Sequence, residues 1–161
     1  MSNANTSYEL KKENAIKALK NGQILQNLAS DFKEDKDIVL VAVARYGDNL
    51  RWASSKLRGD REVVLKAIEE RGNALEFAST ELRNDKKVVL RAVAKKRSFA
   101  FQFASTELQN DKEFVLKVVA IKGTSLQFAS YELRADKEVV LRAVAQIGAA
   151  LEFASSALRA D

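Results

Sequence analysis

The sequence predicts an all-α fold, an α-solenoid of tandem two-helix repeats of about 25 residues. Three periodic features predict it. An aromatic-Ala-Ser tripeptide recurs at Trp52-Ala53-Ser54, Phe77-Ala78-Ser79, Phe103-Ala104-Ser105, Phe128-Ala129-Ser130 and Phe153-Ala154-Ser155, with the alanines 25, 26, 25 and 25 residues apart. An aspartate keeps step at Asp35, Asp60, Asp85, Asp111, Asp136 and Asp161. A glycine stands 12 residues after its aspartate at Gly47, Gly72, Gly123 and Gly148. Self-similarity at a fixed period of this length is the signature of a repeat array.

In chain order, residues 1–7 read as a disordered tail, in which Ser2-Asn3-Ala4 resembles the remnant of a cleaved tag. Residues 8–161 read as a single α-helical repeat domain. A degenerate N-terminal unit covers 8–34. It is more polar, as a terminal cap should be, and carries the weaker tripeptide Leu28-Ala29-Ser30. Five repeats follow at 35–59, 60–84, 85–110, 111–135 and 136–160.

The second repeat illustrates the unit. Asp60 is placed to cap a first helix by accepting from free amides of its first turn. Val63, Val64, Ala67 and Ile68 then form an apolar face at helical spacing, widened by Leu65. Gly72 is expected to end this helix in a left-handed conformation. Asn73 is expected to cap a second, shorter helix carrying Leu75, Ala78 and Leu82, with Phe77 beside that stripe. Helices this short are marginal alone in water, so their stability must come from packing between neighbours. The repeated aromatics are expected in the core. The repeated serine is expected to be a small residue that permits close packing. The fifth repeat keeps Val139, Val140 and Val144, so it reads as uncapped. It belongs either to a longer array or to a homodimer formed through that end.

Composition narrows the function classes. The 161 residues are 47% hydrophobic and 30% charged, as in a globular protein, with a net charge of +5. No run approaches the roughly 18 apolar residues of a spanning helix, and no apolar signal core follows Met1. The expected location is cytoplasmic in the source cell, with delivery into a host cell as the alternative. Cysteine and histidine are absent, which removes disulfides, thiolate chemistry and histidine-dependent triads. No Gly-rich phosphate loop or EF-hand loop is present. Glu69 and Glu70 are adjacent and therefore point about 100° apart on a helix, so they do not converge on a substrate. The reading is a protein that is not an enzyme and needs no cofactor.

The string "LRNDKKVVLRAVAKK", preceded by "ALEFASTELRNDK", resembles the bacterial repeats of the family known as domain of unknown function 4116. That family's pattern of Leu-Arg-x-Asp-Lys-Glu-x-Val, Ala-Val, a glycine, then Leu-x-aromatic-Ala-Ser is met at Leu133, Arg134, Asp136, Lys137, Glu138, Val140, Ala143, Val144, Gly148, Leu151, Phe153, Ala154 and Ser155. The resemblance spans nearly the whole chain after the N-terminal tail. It implies the repeat fold and no catalytic residues. It also implies an interaction role, since some long bacterial proteins with such arrays resemble host-directed effectors. The third repeat departs from the pattern at Lys87 and at Arg97-Ser98.

That departure carries the candidate site. With each aspartate counted as position 0, positions 2 and 6 usually hold an acid and a base, as in Glu62–Lys66, Glu113–Lys117 and Glu138–Arg142. Such i, i+4 pairs contribute about 0.2–0.5 kcal/mol each. In the third repeat Lys87 replaces the acid, so Lys87, Arg91 and Lys95 form a basic stripe at i, i+4, i+8, followed by Lys96 and Arg97. Residues 85–110 hold six bases against two acids, most of the chain's net charge. The glycine is missing there, one residue is inserted, and Phe99 occupies the position of Asp48, Asn73, Thr124 and Ala149. The longer turn is expected to spare Arg97 a left-handed conformation. Tyr131, in the fourth repeat, is a further aromatic at a variable position.

The candidate binding face is therefore Lys87, Arg91, Lys95, Lys96, Arg97, Phe99 and Tyr131. The partner is expected to be a protein. Nucleic acid or an anionic surface bound through the basic face is the alternative, and a structural spacer is the third. The plain reading of the stripe is that glutamates of the second repeat, such as Glu62, Glu69 or Glu70, neutralise it.

Overall fold

The computed structural model describes residues 2–160, with side chains from Thr6 onward; Met1 and Asp161 lie outside the described residues. The regular elements among the described residues are all helical, and no strand occurs among them. The single repeat domain expected over 8–161 divides into two compact units, one up to Ser79 and one from Thr80. Repeat arrays make their contacts between neighbours, so a division at one joint is open to them.

In the first unit, α1 (Ser2–Lys20) precedes 3₁₀ turns at Leu25–Asn27 and Ser30–Lys33. Then come α2 (Lys36–Arg45), a 3₁₀ segment Gly47–Trp52, α3 (Ser55–Arg58), α4 (Arg61–Glu70) and a 3₁₀ segment Gly72–Phe77. The second unit runs α5 (Thr80–Arg83), α6 (Lys86–Val93), a 3₁₀ segment Ala100–Phe103, α7 (Thr106–Gln109), α8 (Lys112–Ile121) and a 3₁₀ segment Gly123–Phe128. It ends with α9 (Tyr131–Arg134), α10 (Lys137–Gln146), a 3₁₀ segment Gly148–Phe153 and α11 (Ser156–Ala160). The segment expected as a tail is thus helical from Ser2, where neither Gly nor Pro interrupts the chain before Lys20.

Each long helix begins as its sequence predicts. Asp60 accepts from the Glu62 and Val63 amides, and Asp35 and Asp85 do the same two and three residues on. Asp111 and Asp136 accept from Phe114 and Val139. The apolar face is buried: Ile38, Val39, Ala42 and Val43 on α2, Val63, Val64, Ala67 and Ile68 on α4.

The second half of each repeat corrects the expectation. It is a 3₁₀ segment followed by a four- or five-residue α turn, broken at the Phe-Ala-Ser tripeptide. Ala78 is extended (φ −70°, ψ 159°), so Leu75, Ala78 and Leu82 are all buried without sharing one helix. The serine makes the break. Its backbone N–H donates to a carbonyl of the preceding repeat: Ser54 to Lys33 and Ser79 to Arg58 in the first unit, each at 2.9 Å. In the second unit Ser105, Ser130 and Ser155 donate in the same way to Arg83, Gln109 and Arg134. Its hydroxyl then accepts from the amide three residues on, as Ser105 does from Leu108 at 3.2 Å, and caps the short helix. The serine is a joint and a cap, where the sequence suggested only a small residue that permits close packing. The aromatics before it, Trp52, Phe77, Phe103, Phe128 and Phe153, are half-buried on the flank of the 3₁₀ segment, outside the core proper.

The glycine also has a different purpose. Gly72 opens a 3₁₀ segment after an extended Arg71 (φ −144°), which leaves Asn73 inside that segment. Among the described residues the positive φ values belong to Gly22 and Arg97. A Cβ on Gly47 would lie 2.5 Å from the Ala67 carbonyl oxygen of the next repeat, and one on Gly123 would lie 2.4 Å from that of Ala143. Glycine is required because a neighbouring backbone comes too close for any side chain. The amides beside that contact are used as well: Gly47 donates to Glu70 and Gly123 to Gln146, both at 2.7 Å.

Ion pairs tie the same neighbours. The basic residue at position 1 reaches the next repeat's capping aspartate, Lys36 to Asp60 and Lys112 to Asp136 at 2.7 Å, Lys86 to Asp111 at 2.5 Å. Lys36 and Lys112 also reach Glu62 and Glu138 at 2.9 Å. These glutamates were expected to pair along their own helix; the bonds shown run between repeats.

Two outcomes follow from these joints. Gly47→Ala and Gly123→Ala should each destabilise their unit by about 1–3 kcal/mol through overpacking against backbone, whereas Gly148→Ala, with nothing within 4 Å of its Cβ, should not destabilise and should gain up to about 1 kcal/mol. Urea melts of the three variants measure this. The second concerns pH. The Lys86 and Lys112 ammonium groups hold the Asp111 and Asp136 carboxyls below the usual carboxylate range. A depressed folded value means a stabilisation complete above the unfolded pKa, about 3.9, and lost as pH falls through the folded one. Urea melts at pH 7 and pH 3 should show that loss, and Asp111→Asn, which keeps a capping oxygen, should reduce it.

Candidate functional site

The outward face of the long helices in the second unit is unusual for a surface. The inward face of α6 takes Val88, Val89, Ala92 and Val93, so Lys87 and Arg91 are turned outward and exposed. Leu90 stands between them in sequence and is half-buried. The equivalent residues on α8 and α10 are Leu116, also half-buried, and Leu141, which is 59% exposed. These three leucines line a groove of about 920 Å³ together with Ala120, Ile121 and Ala145. Glu113, Lys117, Glu138 and Arg142 supply its polar edge. The leucine that the sequence suggested would widen a buried face instead floors an open one, because it lies away from the buried Val and Ala positions of its helix.

The predicted basic stripe is only partly assembled. Helix α6 stops at Val93, two residues short of its counterparts, so Lys87 and Arg91 remain on the helix while Lys95 falls in the turn after it and is half-buried. Ser98 N–H donates to the Lys95 carbonyl across that turn. Lys96 and Arg97 are exposed in the turn. Arg97 adopts φ 53°, the left-handed conformation that the inserted residue was expected to avoid. The reason lies in the glycine's real purpose. The other repeats leave the helix through an extended residue, so the insertion replaces that exit with a tighter reversal instead of relieving one.

The turn is held from the next repeat. Lys122 Nζ donates to the Ser98 carbonyl at 2.6 Å and to the Lys95 carbonyl at 3.1 Å. Burial pushes the Lys122 pKa down. Ser98 itself is buried in the glycine's place, and its hydroxyl accepts from the Ala100 amide at 3.1 Å. Phe101, which stands where the other repeats have Leu, is fully buried and packs on Phe114, ring centroids 6.2 Å apart. Phe114 stands where the other repeats have Ile or Val, so the pair was present in the sequence as two coincident enlargements.

Phe99 is 47% exposed at the start of the 3₁₀ segment, and Tyr131 is 69% exposed at the start of α9, with the Arg134 guanidinium 6.0 Å from its ring centre. Neither is among the residues lining the groove. Within the first unit Glu62 pairs with Lys36 at 2.9 Å, Glu69 lies 3.9 Å from Lys66, and Glu70 accepts from the Gly47 amide.

Fold and face together define an all-α tandem-repeat protein with an apolar groove on the outer side of its long helices. The chain belongs to the family described as Domain of unknown function (DUF4116), whose model matches residues 11–58, 60–109, 93–134 and 111–159. The overlapping matches tile the chain as tandem repeats do. No curated protein and no solved structure matches it. No helix among the described residues is long and apolar enough to cross a membrane.

The strained turn yields a stability prediction. Arg97→Gly should stabilise the second unit by up to about 1 kcal/mol, since a left-handed conformation costs a side-chain-bearing residue about 1–2 kcal/mol and glycine returns part of that as chain entropy. A rise in the urea midpoint at unchanged slope is the expected reading.

Proposed function

We propose that this chain is a non-catalytic binding scaffold, and that the groove on α6, α8 and α10 takes an amphipathic segment of another protein. The single observation behind this reading is the row of leucines, Leu90, Leu116 and Leu141, left half-buried or exposed along one groove. Contiguous exposed apolar surface rimmed by polar groups is characteristic of protein-binding sites. Apolar side chains of the partner would fill the floor. Its acids would meet Lys117 and Arg142 on the edge, with Lys87 and Arg91 beyond it on α6, and its bases would meet Glu113 and Glu138.

Nucleic acid fits less well. Glu113 and Glu138 balance Lys117 and Arg142 on the groove's edge, so it offers no net positive charge to a phosphate backbone, whose binding rests on neutralisation by bases. A spacer would have no use for an apolar groove of this size.

Selection of peptides from a displayed random library against the intact chain tests the proposal. The expected binders carry apolar residues at helical spacing with acids on one flank. Leu116→Glu and Leu141→Glu should each weaken them at least about tenfold, Lys87→Glu with Arg91→Glu should weaken the acidic ones, and Tyr131→Ala should not matter. Unchanged melting curves confirm that the variants fold. Binders indifferent to the groove variants would refute the reading. So would salt-dependent binding of fluorescent nucleic acid that the lysine and arginine changes abolish.

A further inference from the structure

The second unit carries another unfilled surface, separate from the groove, at its fifth repeat. Elsewhere the residues that receive a following repeat are closed off: Val119 and Leu126 are fully buried, and so is Gly123. Their counterparts in the fifth repeat are open. Val144 is half-buried, Gly148 is exposed, Ile147 is 43% exposed and Leu151 is 39% exposed. Leu158 is half-buried where Leu133 is buried.

Gly148 is the informative residue. Gly47 and Gly123 are needed because the next helix brings a carbonyl to within 2.5 and 2.4 Å of where a Cβ would be. At Gly148 nothing lies within 4 Å, and its φ is not positive. A glycine in helical backbone costs roughly 0.5–1 kcal/mol against alanine. The fifth repeat therefore keeps the receiving half of a close approach together with the apolar residues that surround it.

We propose that this face binds a helix built on the same repeat grammar: a capping aspartate, a small residue seven positions later whose carbonyl lies against Gly148, and a glutamate or glutamine ten positions later that accepts from the Gly148 amide. The bonds at the neighbouring joint specify each element. Ala143 stands opposite Gly123, Gln146 accepts from the Gly123 amide at 2.7 Å, and Asp136 caps the helix that does so. The first unit repeats the set with Ala67, Glu70 and Asp60. The partner's serine amide would then donate to the Arg159 carbonyl, as Ser155 does to Arg134.

The test supplies that chemistry to the whole chain. A copy of residues 137–160 is joined after Asp161, and amide hydrogen exchange is followed at Gly148 and Leu151. Docking should slow both amides at least about tenfold and raise the melting temperature. Gly148→Leu, which the open space tolerates in the unextended chain, should abolish both gains in the extended one. Unchanged exchange at Gly148 and Leu151 in the extended chain would overturn the proposal. So would protection in the unextended chain that grows with protein concentration and disappears in Leu151→Asp, which would place a second copy on this face instead.

Discussion

A backbone hydrogen bond from the tripeptide serine to the preceding repeat is the constraint on which the rest depends. It recurs at five joints, each 2.9–3.0 Å long. An amide in extended backbone between two short helical pieces has no partner of its own, and leaving it buried and unpaired would be costly. The carbonyl of the previous repeat supplies one. Once that bond sets the register, the lysine at position 1 meets the next capping aspartate, and the glycine meets the next helix's carbonyl. Backbone, charge and close packing thus report the same spacing, and this agreement lets pieces of four to ten residues hold a defined position.

The third repeat shows what the joint tolerates. It has lost its glycine, gained a residue and shortened its long helix, yet Ser105 still donates to Arg83 and Lys86 still reaches Asp111. The irregularity is absorbed locally. Lys122 closes two carbonyls of the turn, Ser98 fills the glycine's place, and Phe101 with Phe114 takes up core volume. On the outside of α6, Lys87 and Arg91 are exposed on either side of Leu90 in the sequence.

Much of this was legible in the sequence for a physical reason: periodicity exposes any residue whose purpose is repeated. The aspartate caps and the apolar faces were visible as phase-locked positions. The glycine was visible too, but its purpose was not. Close approach of a backbone and a left-handed turn both demand glycine, and one sequence cannot separate them. The same ambiguity led to the opposite conformation for Arg97. The serine was misjudged because a backbone amide leaves no mark in a side-chain pattern. Lys87 and Arg91 stood out in the sequence because a charge breaking a rule is conspicuous, yet neither lines the groove. The groove was missed because Leu65 and its counterparts fit an amphipathic pattern equally well whether covered or open, and only the path of neighbouring helices decides which.

The most direct measurement is native-state hydrogen exchange at the Ser54, Ser79, Ser105, Ser130 and Ser155 amides. None of the five lies inside a helix, so local structure alone gives them no protection. If the joints hold the fold together, these amides exchange as slowly as those in the middle of the long helices and open with them. Exchange at close to the rate of an unstructured chain, while the long helices remain protected, would contradict the account.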